Sequence, residues 1–279
     1  MEIHLLGPFC LTYGQASAVP TAPKSRKVLA LLATNADQVI SVGSLLEELW
    51  GEHPPARAMT TIQTYIMQLR SLIATALLGT HAEALAVAKQ ILSTEGAGYR
   101  LNARKAAVDA REYDLLAAGG YRSMGTGDYA AASEQFRQAL ALWRGPALVD
   151  VDTGPLLQAQ VQRLEESRLS CLSKRIDADL RLGRHHEIIG ELAALSVRYP
   201  TNEVFQFQYM LALGRVGRRS AALETYQRLR TQLRRELLLE PSAPVRELQQ
   251  ALLTGAHGLD IGTEMTEWLR GELCVLRAG

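Results

Sequence analysis

The residues best suited to recognition chemistry in this 279-residue chain are uncharged and share one helical face. Thr60, Thr64, Met67, Gln68 and Ser71 follow an i, i+4, i+7, i+8, i+11 spacing, with Gln63, Tyr65 and Arg70 on the flanks, and the face contains no acid. A glutamine amide can donate and accept at once against an adenine edge, and a threonine methyl can meet a thymine methyl. A face without carboxylates can approach phosphates without repulsion. Such a stripe suits the major groove of a duplex, provided that the opposite stripe is buried and a scaffold holds the helix outward.

Other chemistries find little support. Gly96-Ala97-Gly98 follows no strand-to-helix unit and opens no helix, so it is no dinucleotide fingerprint, and neither a G-x-x-x-x-G-K nor a G-x-S-x-G motif occurs. His185-His186 are neighbours on a helix, point apart and cannot chelate well. Glu47-Glu48 and Glu165-Glu166 lie on amphipathic helices without a positioned partner, and solvation is the reading for both pairs. Cys10, Cys171 and Cys274 are too widely separated for zinc or redox pairing. No catalytic residues, metal or cofactor are expected.

Net charge is +1, which argues against non-specific polyelectrolyte binding and leaves any DNA contact to a few residues. Apolar residues make up 47% and charged residues 21%, as in a globular chain of about two domains. No apolar run is long enough to span a bilayer, and the N-terminus has no signal-peptide pattern. A cytoplasmic, nucleoid-associated protein without membrane contact is the expectation.

The elements that must hold the polar face are legible. Residues 1–20 alternate like short strands. Helix one, about Lys24 to Thr34, buries Val28, Leu29, Leu31 and Leu32. Helix two begins near Ser41 or Ser44, packs Leu45, Leu46, Leu49 and Trp50, and stops at Gly51. Pro54-Pro55 force a turn. Helix three, about Ala58 to Leu77, buries Ile62, Ile66, Leu69 and Ile73. After a variable stretch, Ile91 to Thr94 and Tyr99 to Leu101 flank Glu95 to Gly98 as a glycine hairpin. These are the parts of a winged helix-turn-helix, whose third helix lies in the major groove.

From about Val108 the pattern is wholly helical. Gly183-Arg184 and Gly217-Arg218 are 34 residues apart, the tetratricopeptide period, and Gly127-Asp128 opens a similar unit. Ala132 and Phe136, Ile188 and Leu192, and Ala222 and Tyr226 fill the knob positions, and Leu164 to Leu182 reads as a helix between the first two units. Arg228, Arg230, Arg234 and Arg235 form a basic run, read first as a solvated face and otherwise as a DNA or polymerase contact. The fold class is therefore mainly α: an N-terminal winged helix with small β-sheets, then an all-α repeat domain. Met265 to Leu276 reads as a fray-prone end or a short amphipathic helix.

Four stretches resemble the Streptomyces antibiotic regulatory proteins. They are Leu6-Gly7-Pro8; Val42 to Leu72, with Leu49-Trp50-Gly51, Pro54-Pro55 and Ile62 to Arg70; Ala141 to Leu148; and Arg228 to Leu253, with Leu239-Glu240-Pro241. The resemblance covers most of residues 1–254. It implies an OmpR/PhoB-type DNA-binding domain at 1–104, a bacterial transcriptional activation domain at 108–254 and a tail at 255–279. It further implies an activator of a secondary-metabolite cluster that binds direct repeats of double-stranded promoter DNA near the −35 element, as a homodimer on DNA. The implied partner is RNA polymerase, through sigma region 4, the beta flap and the alpha C-terminal domain.

Carried over by motif, Thr64 and Gln68 fall at base-facing positions. Tyr65 and Arg70 fall at phosphate or base contacts, and Trp50 and Tyr99 at phosphate contacts, with a purely structural role equally open for Trp50. Arg57, Thr60, Thr61, Gln63 and Arg100 complete the DNA-binding set. Glu95 departs from the family, where many wings carry a basic residue, so this wing is expected to meet DNA differently, with Arg100 and Lys89 compensating. The alternative is a repeat-type adaptor whose winged helix no longer binds DNA.

Overall fold

A computed structural model describes residues 1–77 and 81–254. They form two compact units, one of residues 1–122 and 134–172 and the other of residues 123–133 and those from 173 onward. Residues 265–276, read as a fray-prone end or a short helix, and Cys274 lie outside the described residues. Among the described residues, no helix is long and apolar enough to cross a membrane.

The first unit opens with β1 (Glu2–His4), β2 (Cys10–Tyr13) and β3 (Ala16–Ser17), followed by α1 (Pro23–Thr34), β4 (Ile40–Ser41), α2 (Val42–Trp50) and α3 (Ala58–Ala76). Then come α4 (His81–Ile91), β5 (Leu92–Glu95), β6 (Gly98–Leu101) and β7 (Ala107–Val108). One sheet has the order β3-β2-β1-β7, with β7 parallel to β1; the second, antiparallel, has the order β4-β6-β5. The stretch read as variable before the wing is helix α4, and Ile91 ends that helix rather than starting the strand. Ala84 and Ala88 are its buried positions, too small to announce an apolar stripe.

Apolar periodicity builds the core as expected. Val28, Leu29, Leu31 and Leu32 of α1, Leu45 and Leu49 of α2, and Ile62, Ile66, Leu69 and Ile73 of α3 are buried together with Leu92 and Leu101 of the wing, whereas Leu46 and Trp50, expected to pack with α2's other apolar residues, are only half-buried. Ser41, not Ser44, caps α2: its hydroxyl accepts the Ser44 N–H at 3.0 Å.

The Glu47-Glu48 pair corrects the solvation reading. Glu47 is exposed, but Glu48 is 2% exposed. Its carboxylate accepts the backbone N–H groups of Gly154, Leu156 and Leu157 at 2.6, 2.9 and 3.1 Å. Those amides open α7 (Pro155–Arg181), so a glutamate on α2 serves as the cap of a helix more than a hundred residues away. A Cβ on Gly154 would stand 2.1 Å from the Glu48 carbonyl oxygen, so the approach requires glycine. Glu165 is likewise engaged, accepting the Ala147 N–H at 2.8 Å. Buried Asp109 accepts from Leu5 and Leu6 N–H and from Arg144, while Arg26 pairs with Asp150 and Lys27 with Asp152. The segment 144–157 is thereby fastened to Asp109, α1 and α2 by ion pairs and amide caps.

Helix α5 (Asp109–Thr126) and α6 (Tyr129–Ala141) form the first helical pair. Within the first unit, Tyr121 meets Phe136 edge-on at 5.1 Å between centroids. The second unit continues from the C-terminal part of α7 with α8 (His185–Arg198), α9 (Glu203–Arg215), α10 (Arg219–Leu237) and α11 (Ala243–Thr254). The expected repeat is visible in its turns. Gly127, Gly183 and Gly217 have φ of 80°, 76° and 78°, and each is followed by a residue whose N–H reaches back five positions: Asp128 to Ser123, Arg184 to Asp179, Arg218 to Leu213. This is the left-handed helix stop that glycine makes without strain. The knobs Ala132, Phe136, Ile188, Leu192, Ala222 and Tyr226 are all buried. In the basic run, Arg230 and Arg234 both engage Glu240, and Arg228 donates to Thr225.

Candidate nucleic-acid interface

Helices α2 and α3 form a helix-turn-helix in which the Ala58 N–H donates to Pro55 O to start α3. With Ile62, Ile66, Leu69 and Ile73 turned into the core, the opposite face of α3 is open: Thr60, Gln63, Thr64, Met67, Gln68 and Ser71 are exposed. No acid occurs between Glu52 and Glu83, so the ridge carries only neutral groups and the cations Arg57 and Arg70. Its shape and charge suit a groove walled by phosphates.

The hydroxyls and amides on this ridge are partly preset. Thr64 Oγ1 donates to Thr60 O and Thr61 Oγ1 to Arg57 O, both at 3.0 Å, so these side chains are folded back on the helix. Gln68 Oε1 accepts from the Ser25 hydroxyl at 3.5 Å, and Ser25 is buried on α1. That bond uses one of the oxygen's two lone pairs and does not involve the amide NH2. Tyr65 is half-buried on the flank, and exposed Arg57 begins the helix. Trp50 is half-buried at the end of α2, with Lys24 Nζ 5.1 Å from its ring centroid.

The wing residues are engaged within the protein. Arg70 donates through Nε to Leu92 O at 2.9 Å and through its terminal nitrogen to Thr94 Oγ1 at 2.8 Å, tying α3 to β5. Arg100 pairs with Glu95, so the acid that departs from the family pattern is neutralised from the adjacent strand. Tyr99 is 8% exposed and belongs to the core of the wing. Lys89 is exposed on α4. Gly96 adopts a positive φ of 56° in the two-residue turn; Gly98 does not.

Sequence reasoning missed Ser25, Lys24, Thr94 and Glu48, which hold the ridge or its scaffold. Each acts on a partner at least 24 residues away, so no local spacing announces it. Among the described residues, no group of three or more His, Cys, Asp or Glu could hold a metal.

Two family models match the chain: "Transcriptional regulatory protein, C terminal" over residues 15–101 and "Bacterial transcriptional activator domain" over residues 108–253. Regulatory protein DnrI of Streptomyces peucetius is 45% identical over 260 residues, covering 93% of this chain and 94% of its own length. Regulatory protein AfsR of Streptomyces griseus is 33% identical over 91% of this chain, which spans 24% of that longer protein. Among solved structures, Mycobacterium tuberculosis EmbR in complex with a low-affinity phosphopeptide superposes with a TM-score of 0.85 at 28% identity, over 99% of this chain and 70% of that one. The chain belongs to the Streptomyces antibiotic regulatory proteins, a family of transcriptional activators that join a winged helix to a bacterial transcriptional activator domain.

Proposed function

We propose that this regulator binds direct repeats of promoter DNA near the −35 element and activates a secondary-metabolite gene cluster by engaging RNA polymerase. The observation that carries the reading is the acid-free, solvent-open ridge of α3, Thr60 to Ser71, standing on a fully buried aliphatic stripe. Gln68 and Thr64 face bases; Gln63 and Thr60 flank them; Arg57, Thr61, Tyr65 and Trp50 serve the phosphate walls. Arg70, Tyr99 and Arg100 contribute by bracing the wing. Two protomers on tandem half-sites about one helical turn apart lie on the same DNA face.

In this reading residues 1–104 bind DNA and residues 108–254 recruit polymerase through sigma region 4, the beta flap and the alpha C-terminal domain, in the cytoplasm. No cofactor takes part. The pairing of Glu95 with Arg100 supports a wing that can approach phosphates, which favours DNA binding over a pure adaptor role.

Gel-shift titration on the promoters flanking the gene tests the proposal. The expected result is a retarded band whose affinity falls steeply with salt. Gln68→Ala relaxes base preference at one position, costing roughly 1–3 kcal/mol of discrimination. Absence of a band on every flanking promoter at low salt refutes it.

A further inference from the structure

Met67 is an anomaly on the α3 ridge. It is 64% exposed at the middle of the stripe, with Gln63 and Thr64 one turn before it and Ser71 one turn after. Gln63, Thr64 and Ser71 beside it are uncharged and polar, the other exposed methionine of α3, Met59, lies two turns away in the first turn of the helix, and nothing in the core requires a thioether at Met67, because Ile62, Ile66, Leu69 and Ile73 already fill the buried side. An exposed methionine at the centre of a polar recognition face is an apolar, adaptable probe. Thr64 adds to it: its hydroxyl proton is committed to Thr60 O, so towards a ligand the side chain offers its methyl and an acceptor oxygen but no donor.

A duplex offers such a probe one kind of apolar surface. Bases are read in the major groove chiefly through nitrogen and oxygen donors and acceptors, and the one methyl group presented there is at C5 of thymine. Resting on the proposed insertion of α3 into that groove, we infer that Met67 is a specificity-determining residue that reads thymine by burying its C5 methyl group. The Met67 side chain supplies the contact, the Thr64 methyl adjoins it, and Gln68, positioned by Ser25, reads a neighbouring base edge by hydrogen bonding. Selection of thymine at this position thus comes from apolar burial rather than from a hydrogen bond. It releases no counterions, so rising salt weakens overall affinity without removing this preference.

The experiment uses the full chain and the promoter fragment it retards in the gel shift, prepared once with thymine and once with uracil replacing every thymine. This substitution removes only the C5 methyls. The parent protein binds the uracil duplex more weakly by about four-fold for each methyl buried. In Met67→Ala, which keeps a good helix former at an exposed site, the thymine-to-uracil ratio shrinks by at least about two-fold, and in Met67→Leu it returns towards the parent value. Any effect of uracil on duplex shape is common to all three proteins and cancels in the comparison. Equal binding of both duplexes by the parent, or an unchanged ratio in Met67→Ala, overturns the inference while leaving DNA binding intact. Failure to retard any promoter fragment overturns the proposed function instead, and this inference with it.

Discussion

Replacing Glu48 should destabilise the protein far more than its helical-surface setting suggests. In the folded chain its carboxylate satisfies three backbone N–H groups at the start of α7, at 2.6, 2.9 and 3.1 Å, from a site that is 2% exposed. Glu48→Ala strands all three donors and removes a negative charge from the positive end of a 27-residue helix. The Leu157 amide is buried and the other two partly so; at about 1–3 kcal/mol for a buried amide left without a partner, less where water can enter, the total is about 3–5 kcal/mol. At roughly 2–3 °C per kcal/mol for a chain of this size, the melting temperature drops by about 6–15 °C. Glu48→Gln retains one acceptor oxygen but turns an NH2 group towards the same donors, and falls between parent and alanine.

Glu47→Ala is the control, an exposed neighbour on the same helix whose loss stays within about 0.5 kcal/mol. Thermal unfolding followed by circular dichroism at 222 nm reads all three variants. A shift below about 2 °C for Glu48→Ala would refute the capping argument, since a solvated carboxylate behaves in that way.

Three further outcomes follow from the same geometry. Leu238 holds a left-handed conformation, φ 57° and ψ 30°, while 90% exposed at the end of α10; Leu238→Gly relieves backbone strain without losing burial and stabilises by about 0.5–1 kcal/mol, read as a raised denaturation midpoint. Arg70→Ala weakens binding to all DNA sequences alike because the wing loses its tie to α3; since that arginine is engaged with Leu92 and Thr94, the salt slope stays unchanged, whereas a slope reduced by about one marks a direct phosphate contact. Burial tends to raise the pKa of Asp37, but bonds from Arg111 and the Ala103 N–H outweigh it and hold the carboxyl below its ordinary 3.8. A lowered folded pKa contributes stability that is complete above 3.8 and is lost as pH falls through the folded value, so lowering pH from about 5 to about 2.5 destabilises the parent more than Asp37→Asn.

The parts of the fold visible in the sequence are those set by local spacing. The stripe Ile62, Ile66, Leu69, Ile73 defines α3 and hence its open face, Ser41 caps α2, and the 34-residue recurrence of Gly183 and Gly217 coincides with matching left-handed helix stops. Helix α4 escaped because alanines fill its buried positions, leaving no apolar contrast. The ridge residues were legible as types, but their presetting was not. Ser25 under Gln68, Thr94 beside Arg70 and the neutralisation of Glu95 by Arg100 are products of tertiary pairing. Glu48 is the clearest case: a helical glutamate beside another glutamate reads as surface until residue 154 arrives to be capped.

Dimethyl sulfate probing of the bound promoter tests the account most directly, because it methylates guanine N7 in the major groove and adenine N3 in the minor groove. Insertion of α3 protects guanine N7 atoms in two half-sites about one helical turn apart on one DNA face. Unprotected N7 atoms throughout the bound site, with protection confined to adenine N3, would contradict it.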